Sequence, residues 1–229
     1  MHDSRLPDDV IERAIMRRGR LHTFDALDAA RTALVVIDMQ NMFLEPGAPR
    51  EVPVAREIVP NVNRLVQAMR RSGATVVWIQ MTQTKAELEN WSVFYQWISS
   101  QERGRQSQEW LGPGCHGHKL WPDLDVEDAD LIVTKNRYSA FLPGASVLPE
   151  ELRARDIDTV VIAGTLSNVC CESSARDAMM SNFKTLMVSD ACAALTDFEH
   201  IAALTNVFQV FGDVQSTDEV IALLSSGAQ

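Results

Sequence analysis

Four side chains in this sequence combine types and positions suited to chemistry on a carbonyl group: Asp38, Lys135, Arg137 and Cys170. Asp38 closes the apolar run Val35-Val36-Ile37, Lys135 closes Ile132-Val133-Thr134, and Cys170 follows a short loop after a third such run, through Gly164-Thr165-Leu166-Ser167-Asn168-Val169. A thiol attacks a carbonyl carbon as the thiolate, a carboxylate can take its proton and return it to a leaving amine, and an ammonium steadies the anionic sulfur. Cys170 also stands where a helix begins, so the helix dipole and free backbone N–H groups are expected to lower its pKa toward the thiolate. Those N–H groups would also surround the oxyanion of a tetrahedral intermediate. Taken singly, Cys170 reads as a buried core thiol, Asp38 as a turn or cap residue and Lys135 as a surface charge. Their shared position after strand runs is what separates them from that background.

The elements that must position these groups follow from hydrophobic patterning. Short β-branched runs at 33–37, 75–79, 131–134, 159–163, 185–189 and 208–211 alternate with helical segments, the signature of a parallel sheet covered by helices on both faces. A helix is expected from Val59 to Ser72, with Val62, Leu65, Val66 and Met69 at three- and four-residue spacing and Gly73 as its stop. Others are expected over 171–181 and 198–207. The fold class is therefore α/β: one three-layer domain over 31–229 around a parallel sheet of about six strands, preceded by an N-terminal extension, residues 1–30, that could pack on a partner subunit. Ligands of such sheets bind beyond the carboxyl ends of the strands, where Asp38, Lys135 and Cys170 all fall. The stretch from Met81 to Asp130 reads as a long irregular loop rich in aromatic residues, Trp91, Phe94, Tyr95, Trp97, Trp110 and Trp121 among them. It could wall a pocket or complete a neighbouring subunit's site.

Composition narrows the partners. A chain of 229 residues with a formal net charge of -10 has no basic stripe for nucleic acid, and its first segment lacks the apolar core of a signal peptide or membrane span. Neither nucleic acid nor membrane is expected as a partner. Four cysteines, with Cys170 and Cys171 adjacent, do not form a disulfide scaffold, which suits a reducing, cytoplasmic setting. No Gly-x-Gly-x-x-Gly follows the first strand run, so a dinucleotide site is not expected.

At Val36-Ile37-Asp38-Met39-Gln40, at Lys135-Asn136-Arg137-Tyr138-Ser139-Ala140-Phe141 and at Gly164–Cys170 running into Glu172-Ser173-Ser174-Ala175-Arg176-Asp177-Ala178, the sequence resembles the isochorismatase-like cysteine hydrolases. That family includes nicotinamidases, carbamoylsarcosine-type amidases and ureidoacrylate amidohydrolases, and the match spans roughly residues 31 to 224. The resemblance implies Asp38 as general base, Lys135 as the group stabilising thiolate and transition state, and Cys170 as nucleophile. It further implies a cis peptide between Thr165 and Leu166, with the N–H groups of Leu166 and Cys170 as the oxyanion hole. Members that cleave the vinyl ether of isochorismate can lack the cysteine, so Cys170 argues for attack on an acyl carbon. Nicotinamidases carry a metal site built from aspartate and histidines after the second strand; residues 81–90 hold no histidine, and no metal or other cofactor is expected. Cys115-His116-Gly117-His118 lacks a second cluster to complete a coordination shell and reads as a substrate-side loop.

The runs Asp38–Asn41, Arg137–Ser139 and Ser167–Cys170 are most similar to the ureidoacrylate amidohydrolase branch. The expected reaction is hydrolysis of a carbon–nitrogen bond in a small amide, ureido or carbamoyl substrate through a Cys170 thioester, by a homo-oligomer, dimer or tetramer. Gln40, Asn41, Phe43, Trp91, Arg137 and Tyr138 are the expected substrate contacts, with the Arg137 fork suited to a substrate carboxylate. Two alternatives stand beside it: ether or ester hydrolysis with Cys170 as bystander, and a non-catalytic binding subunit whose site is a relic.

Overall fold

The computed structural model describes residues 1–226. Its centre is a sheet of six parallel strands, β1 (Thr32–Ile37), β2 (Thr75–Met81), β3 (Leu131–Lys135), β4 (Thr159–Thr165), β5 (Lys184–Ala193) and β6 (Asp213–Gln215), in the order β3-β2-β1-β4-β5-β6. The α-helices in chain order are α1 (Asp8–Arg18), α2 (Asn41–Leu44), α3 (Val59–Ser72), α4 (Lys85–Asn90), α5 (Gln101–Leu111), α6 (Leu148–Arg153), α7 (Glu172–Met180), α8 (Asp197–Asn206) and α9 (Thr217–Ser226).

Strand β1 shows why the sheet is covered on both sides. All six of its residues are buried, with Leu34 and Val36 in one core layer and Ala33, Val35 and Ile37 in the other. The first layer is closed by Val62, Leu65, Val66 and Met69 of α3 with Val220 and Leu224 of α9; the second by Leu148 and Leu152 of α6, Ala175 and Ala178 of α7 and Leu204 of α8. An apolar run of this kind is what a parallel strand buried on both faces requires. The N-terminal extension adds to the second layer, where Val10 and Ala14 of α1 are buried in the chain's own core.

The chain winds outward from β1 through β2 to β3, then returns to lay β4 on the other side of β1. The order therefore reverses between β1 and β4, and crevices at such switch points are where open α/β sheets bind ligands. Gly164 lets the two strands meet: at φ +115° it lies so near β1 that an added Cβ would stand 2.2 Å from the Ile37 carbonyl oxygen.

Two expectations are corrected. The run 208–211 is helical, a π turn over Val207–Phe211 that prolongs α8, and the sixth strand is Asp213–Gln215. Leu204 of α8 with Val207 and Phe208 of the turn face the core at three- and four-residue spacing, a period that a four-residue apolar run does not distinguish from a strand. Residues 81–130 are not irregular throughout: α4, a π turn at Phe94–Ile98 and α5 occupy much of the stretch. Ser100 caps α5 by accepting from the Arg103 N–H, and Thr84 with Glu87 forms a capping box on α4. Among the described residues no helix is long and apolar enough to cross a membrane.

Candidate active site

Asp38, Lys135 and Cys170 converge at the carboxyl edge of the sheet. Asp38 directly follows β1 with φ +53°, a left-handed backbone that aspartate tolerates better than most residues. Lys135 is the last residue of β3, two strands away, and its long stem reaches back beneath β2. Its Nζ donates to Asp38 Oδ2 at 2.7 Å, to the Arg137 carbonyl at 3.1 Å and to Cys170 Sγ at 3.4 Å, and lies 3.6 Å from Met81 Sδ. Both side chains of the ion pair are essentially sealed from solvent, at 0% and 1% exposure. Asp38 Oδ1 is also buried and has no hydrogen-bond partner among the described residues.

Cys170 sits in a π turn, Ser167–Cys171, that leads from β4 into α7. The peptide between Thr165 and Leu166 is cis, as the resemblance implied. Behind the turn, the Ser167 hydroxyl meets His200 Nδ1 at 2.8 Å, and His200 stacks on His2 from the N-terminal segment with centroids 4.6 Å apart. Burial pulls His200 down to about 4, so this prop is a neutral imidazole.

The electrostatics differ from the sequence expectation at one point. Burial, reinforced by the Asp38 charge, pushes the Cys170 thiol up to about 12, against the pull of Lys135. The helix-end effect is outweighed because Cys170 is enclosed. Burial also raises Asp38 above the usual carboxylate range, with Lys135 opposing. For Lys135 burial works against the ammonium, and the charges of Asp38 and Cys170 together more than offset it, so its pKa is raised. The resting site is thus a neutral thiol beside an Asp–Lys ion pair. Lys135 touches both places where the negative charge can reside, so moving a proton from sulfur to Asp38 shifts the charge without removing its partner.

A cavity of about 600 Å³ opens over Cys170 and is lined by Phe43, Val52, Met81, Phe94, Tyr138, Leu166 and Val169, with Arg50 and Arg103 among its polar groups. Such a volume suits small-molecule sites. Asp38 and Lys135 lie outside this lining, leaving Cys170 to reach the cavity.

Of the expected substrate contacts, Phe43 and Tyr138 line the cavity and four do not. The Gln40 amide is buried and engaged by the Met81 N–H and carbonyl and by the His118 carbonyl, tying the end of β1 to β2. Asn41 donates to the His116 carbonyl at 3.0 Å. Trp91 packs edge-on against Tyr138 and stacked on Phe94, one layer behind the cavity. The Arg137 guanidinium is held by the Asn136 and Asn90 carbonyls and lies over Trp91, so Arg137 serves the site through its own carbonyl, which orients Lys135. Residues 115–118 likewise do not line the cavity. His116 meets Glu45 at 2.6 Å just beyond α2, and His118 meets Thr82 at 2.8 Å just beyond β2. Of the aromatic residues proposed as walls, Phe94 lines the cavity, whereas Trp97 is 82% exposed.

Arg50 and Arg103 were not singled out by sequence. Arg50 lies in the loop after β1 and α2, at the sheet edge where site residues are expected, and that position was its available signal. Arg103 belongs to α5, and no pattern in the sequence marks the face it presents.

A sheet that reverses order between β1 and β4, with a thiol, an acid and an amine gathered at that point, defines an α/β enzyme of the hydrolase class. The chain belongs to the isochorismatase family: the isochorismatase domain matches residues 32–219. It is 29% identical over 215 residues to a protein named ureidoacrylate amidohydrolase RutB from Agrobacterium fabrum, covering 88% of this chain and 93% of that one. To the protein of the same name from Variovorax paradoxus it is 31% identical over 209 residues, covering 86% and 82%. Its fold is similar to a cysteine hydrolase from Pseudomonas syringae pv. phaseolicola, with TM-score 0.74, 29% identity and coverage of 88% and 95%. An N-carbamoylsarcosine amidase from Thermoplasma acidophilum superposes with TM-score 0.66 at 26% identity, covering 82% and 97%.

Proposed function

We propose that this protein hydrolyses a carbon–nitrogen bond of a small amide, ureido or carbamoyl substrate through a thioester on Cys170. The observation that carries the reading is the position of Lys135 Nζ, 2.7 Å from Asp38 and 3.4 Å from Cys170 Sγ, under a cavity that Cys170 lines. The relatives named as ureidoacrylate amidohydrolases and as N-carbamoylsarcosine amidase supply the bond type.

The steps follow from the groups present. As Sγ bonds to the substrate carbonyl carbon, its proton passes to Asp38, and the oxyanion is received by the N–H groups of Leu166 and Cys170. The intermediate collapses, the C–N bond breaks and Asp38 returns the proton to the departing nitrogen. Water then adds to the thioester and gives its proton to Asp38. The C–S bond breaks, the acid leaves, and the proton returns to sulfur. Raised pKa values on both Asp38 and Cys170 suit this exchange, because the two groups are brought nearer to equal proton affinity than carboxylate and thiol would be if only the thiol were shifted.

A second reading, ether or ester hydrolysis in which Asp38 activates water directly, draws on the neutral resting thiol. Screening ureido and carboxamide compounds for ammonia release by wild type and Cys170→Ala separates the two. Loss of turnover in the variant, with an acyl adduct on Cys170 of the wild type by mass spectrometry, is expected; full turnover by the variant would exclude the thioester route. We further propose a cytoplasmic homo-oligomer. Exposed apolar residues Trp97, Ile98 and Phe198 supply surface for self-association, and light scattering at micromolar concentration checks it.

A further inference from the structure

The cavity over Cys170 contains a charge arrangement that the thioester chemistry does not use. Arg50 is half-buried in its wall with one guanidinium nitrogen 2.5 Å from the Ser107 hydroxyl, and Arg103 projects from the same helix as Ser107 into the same cavity. The ionisable groups that bear most strongly on Arg50 are Tyr95, Arg103, Tyr138 and Cys170. Among the described residues lining the cavity, Glu51 is the sole acid, and it is already engaged by Arg56 at 2.8 Å and by the Gly47 N–H at 2.8 Å. Burial holds the Arg50 guanidinium below its ordinary value, and the neighbouring Arg103 charge acts in the same direction. Two like charges lining one cavity, the half-buried Arg50 and the exposed Arg103, disfavour each other and favour an anion between them, and they do so in a chain of net charge -10, where acidic partners are abundant elsewhere. The rest of the lining is apolar and aromatic, with Phe43, Val52, Phe94, Ile98, Leu166 and Leu195 around a volume of about 600 Å³. A substrate as small as ureidoacrylate would leave much of that surface wet.

We infer that Arg50 and Arg103 bind a carboxylate of the substrate, and that the substrate is an N-carbamoyl or related amide of a carboxylic acid carrying an apolar body of aromatic size. Planar guanidinium groups fit carboxylate oxygens, and the apolar lining takes the body while the acyl carbon lies over Cys170. The inference rests on the amidohydrolase reading for the location of the reacting carbon, but the anion site itself is testable without turnover.

Calorimetric titration of the Cys170→Ala protein with N-carbamoylphenylalanine, 2-phenylethylurea and N-carbamoylglycine separates carboxylate from apolar body. The first is expected to bind about ten- to a hundredfold more tightly than 2-phenylethylurea, which lacks the carboxylate, and by a similar factor more tightly than N-carbamoylglycine, which lacks the ring. Adding Arg103→Gln, a change at an exposed helical position, should collapse the preference over 2-phenylethylurea to within a few-fold. Arg50→Lys, which keeps the charge and loses the fork, should reduce it partially. Equal affinity for acid and neutral compound, absence of binding by all three, or an unchanged preference in both arginine variants would overturn the inference. Ammonia release by wild-type protein is read in parallel. Carboxylate-selective binding without turnover of any amide would defeat the hydrolase reading and leave the anion site standing, whereas turnover of neutral and acidic ureas alike would do the reverse.

Discussion

Replacing Lys135 by Met keeps the length and most of the volume of the side chain and removes its charge. The ion pair it breaks is 2.7 Å long and sealed from solvent on both sides, so Asp38 would be left as an uncompensated buried carboxylate. Deleting one partner of a buried pair typically costs about 3–5 kcal/mol, a large share of the roughly 5–15 kcal/mol that holds a domain folded. Asp38 can escape part of the penalty by taking up a proton, because burial already raises its pKa and Lys135 is what opposes that rise. This fixes the sign of the pH dependence. A carboxyl whose folded pKa lies above its unfolded value of about 3.9 binds more protons when folded, so stability falls as pH rises from there to the folded pKa, with a limiting slope of about 1.4 kcal/mol per unit. Removing Lys135 widens that window. The deficit of Lys135→Met against wild type should therefore be smaller near pH 5 than near pH 7, and adding Asp38→Asn should flatten it. Urea denaturation at both pH values reads the effect directly, provided the m-values agree. In activity, a protonated Asp38 cannot accept the thiol proton, and kcat should drop by about 10²- to 10⁴-fold at neutral pH. A Lys135→Met protein with wild-type midpoints at pH 7, or with a deficit independent of pH, would refute this account of the pair.

Four other outcomes follow from the same structure. Gly164→Ala places a Cβ 2.2 Å from the Ile37 carbonyl oxygen at φ +115°, so it should destabilise by several kcal/mol, or about 2–5 on the scale of severe core changes, with a matching fall in thermal midpoint. Iodoacetamide at pH 7 should label the partly exposed Cys115 ahead of Cys170, whose enclosed thiol is pushed up to about 12, and peptide mapping over time would show the order. The same raised thiol and the raised Lys135 ammonium hold protons in the folded state that the unfolded chain releases earlier, so their stabilising contribution is present below about pH 9 and declines as pH climbs toward 12. Arg137→Ala should leave KM within about twofold of wild type, because its guanidinium is turned to the Asn90 and Asn136 carbonyls; a loss of tenfold or more would return it to the substrate site.

Patterning alone placed five of the six strands and α3, since an apolar strand buried on two faces and a helix with apolar residues every three or four positions leave unmistakable periods. It misread residues 208–211 because four apolar residues are too few to separate a strand from a helical turn. The catalytic candidates were legible for a related reason: Asp38, Lys135 and Cys170 each follow a strand run, and in a parallel sheet every strand ends at the same edge. Which strands are neighbours is not written in any local pattern. Only the folded order β3-β2-β1-β4-β5-β6 puts the reversal between Asp38 and Cys170, and only the length of the Lys135 stem, passing under β2, joins the third group to them. The lining of the cavity was least legible. Gln40 and Arg137 have the chemistry to bind a ligand, yet packing turned their polar groups inward to backbone carbonyls, while Arg50 and Arg103, far apart in sequence and in no motif, meet in one cavity. Residue type and spacing determine what a side chain can do near its own strand; which groups face one another across a cavity depends on long-range packing, and that is settled only when the loop after β1 and the helix at 101–111 close over Cys170.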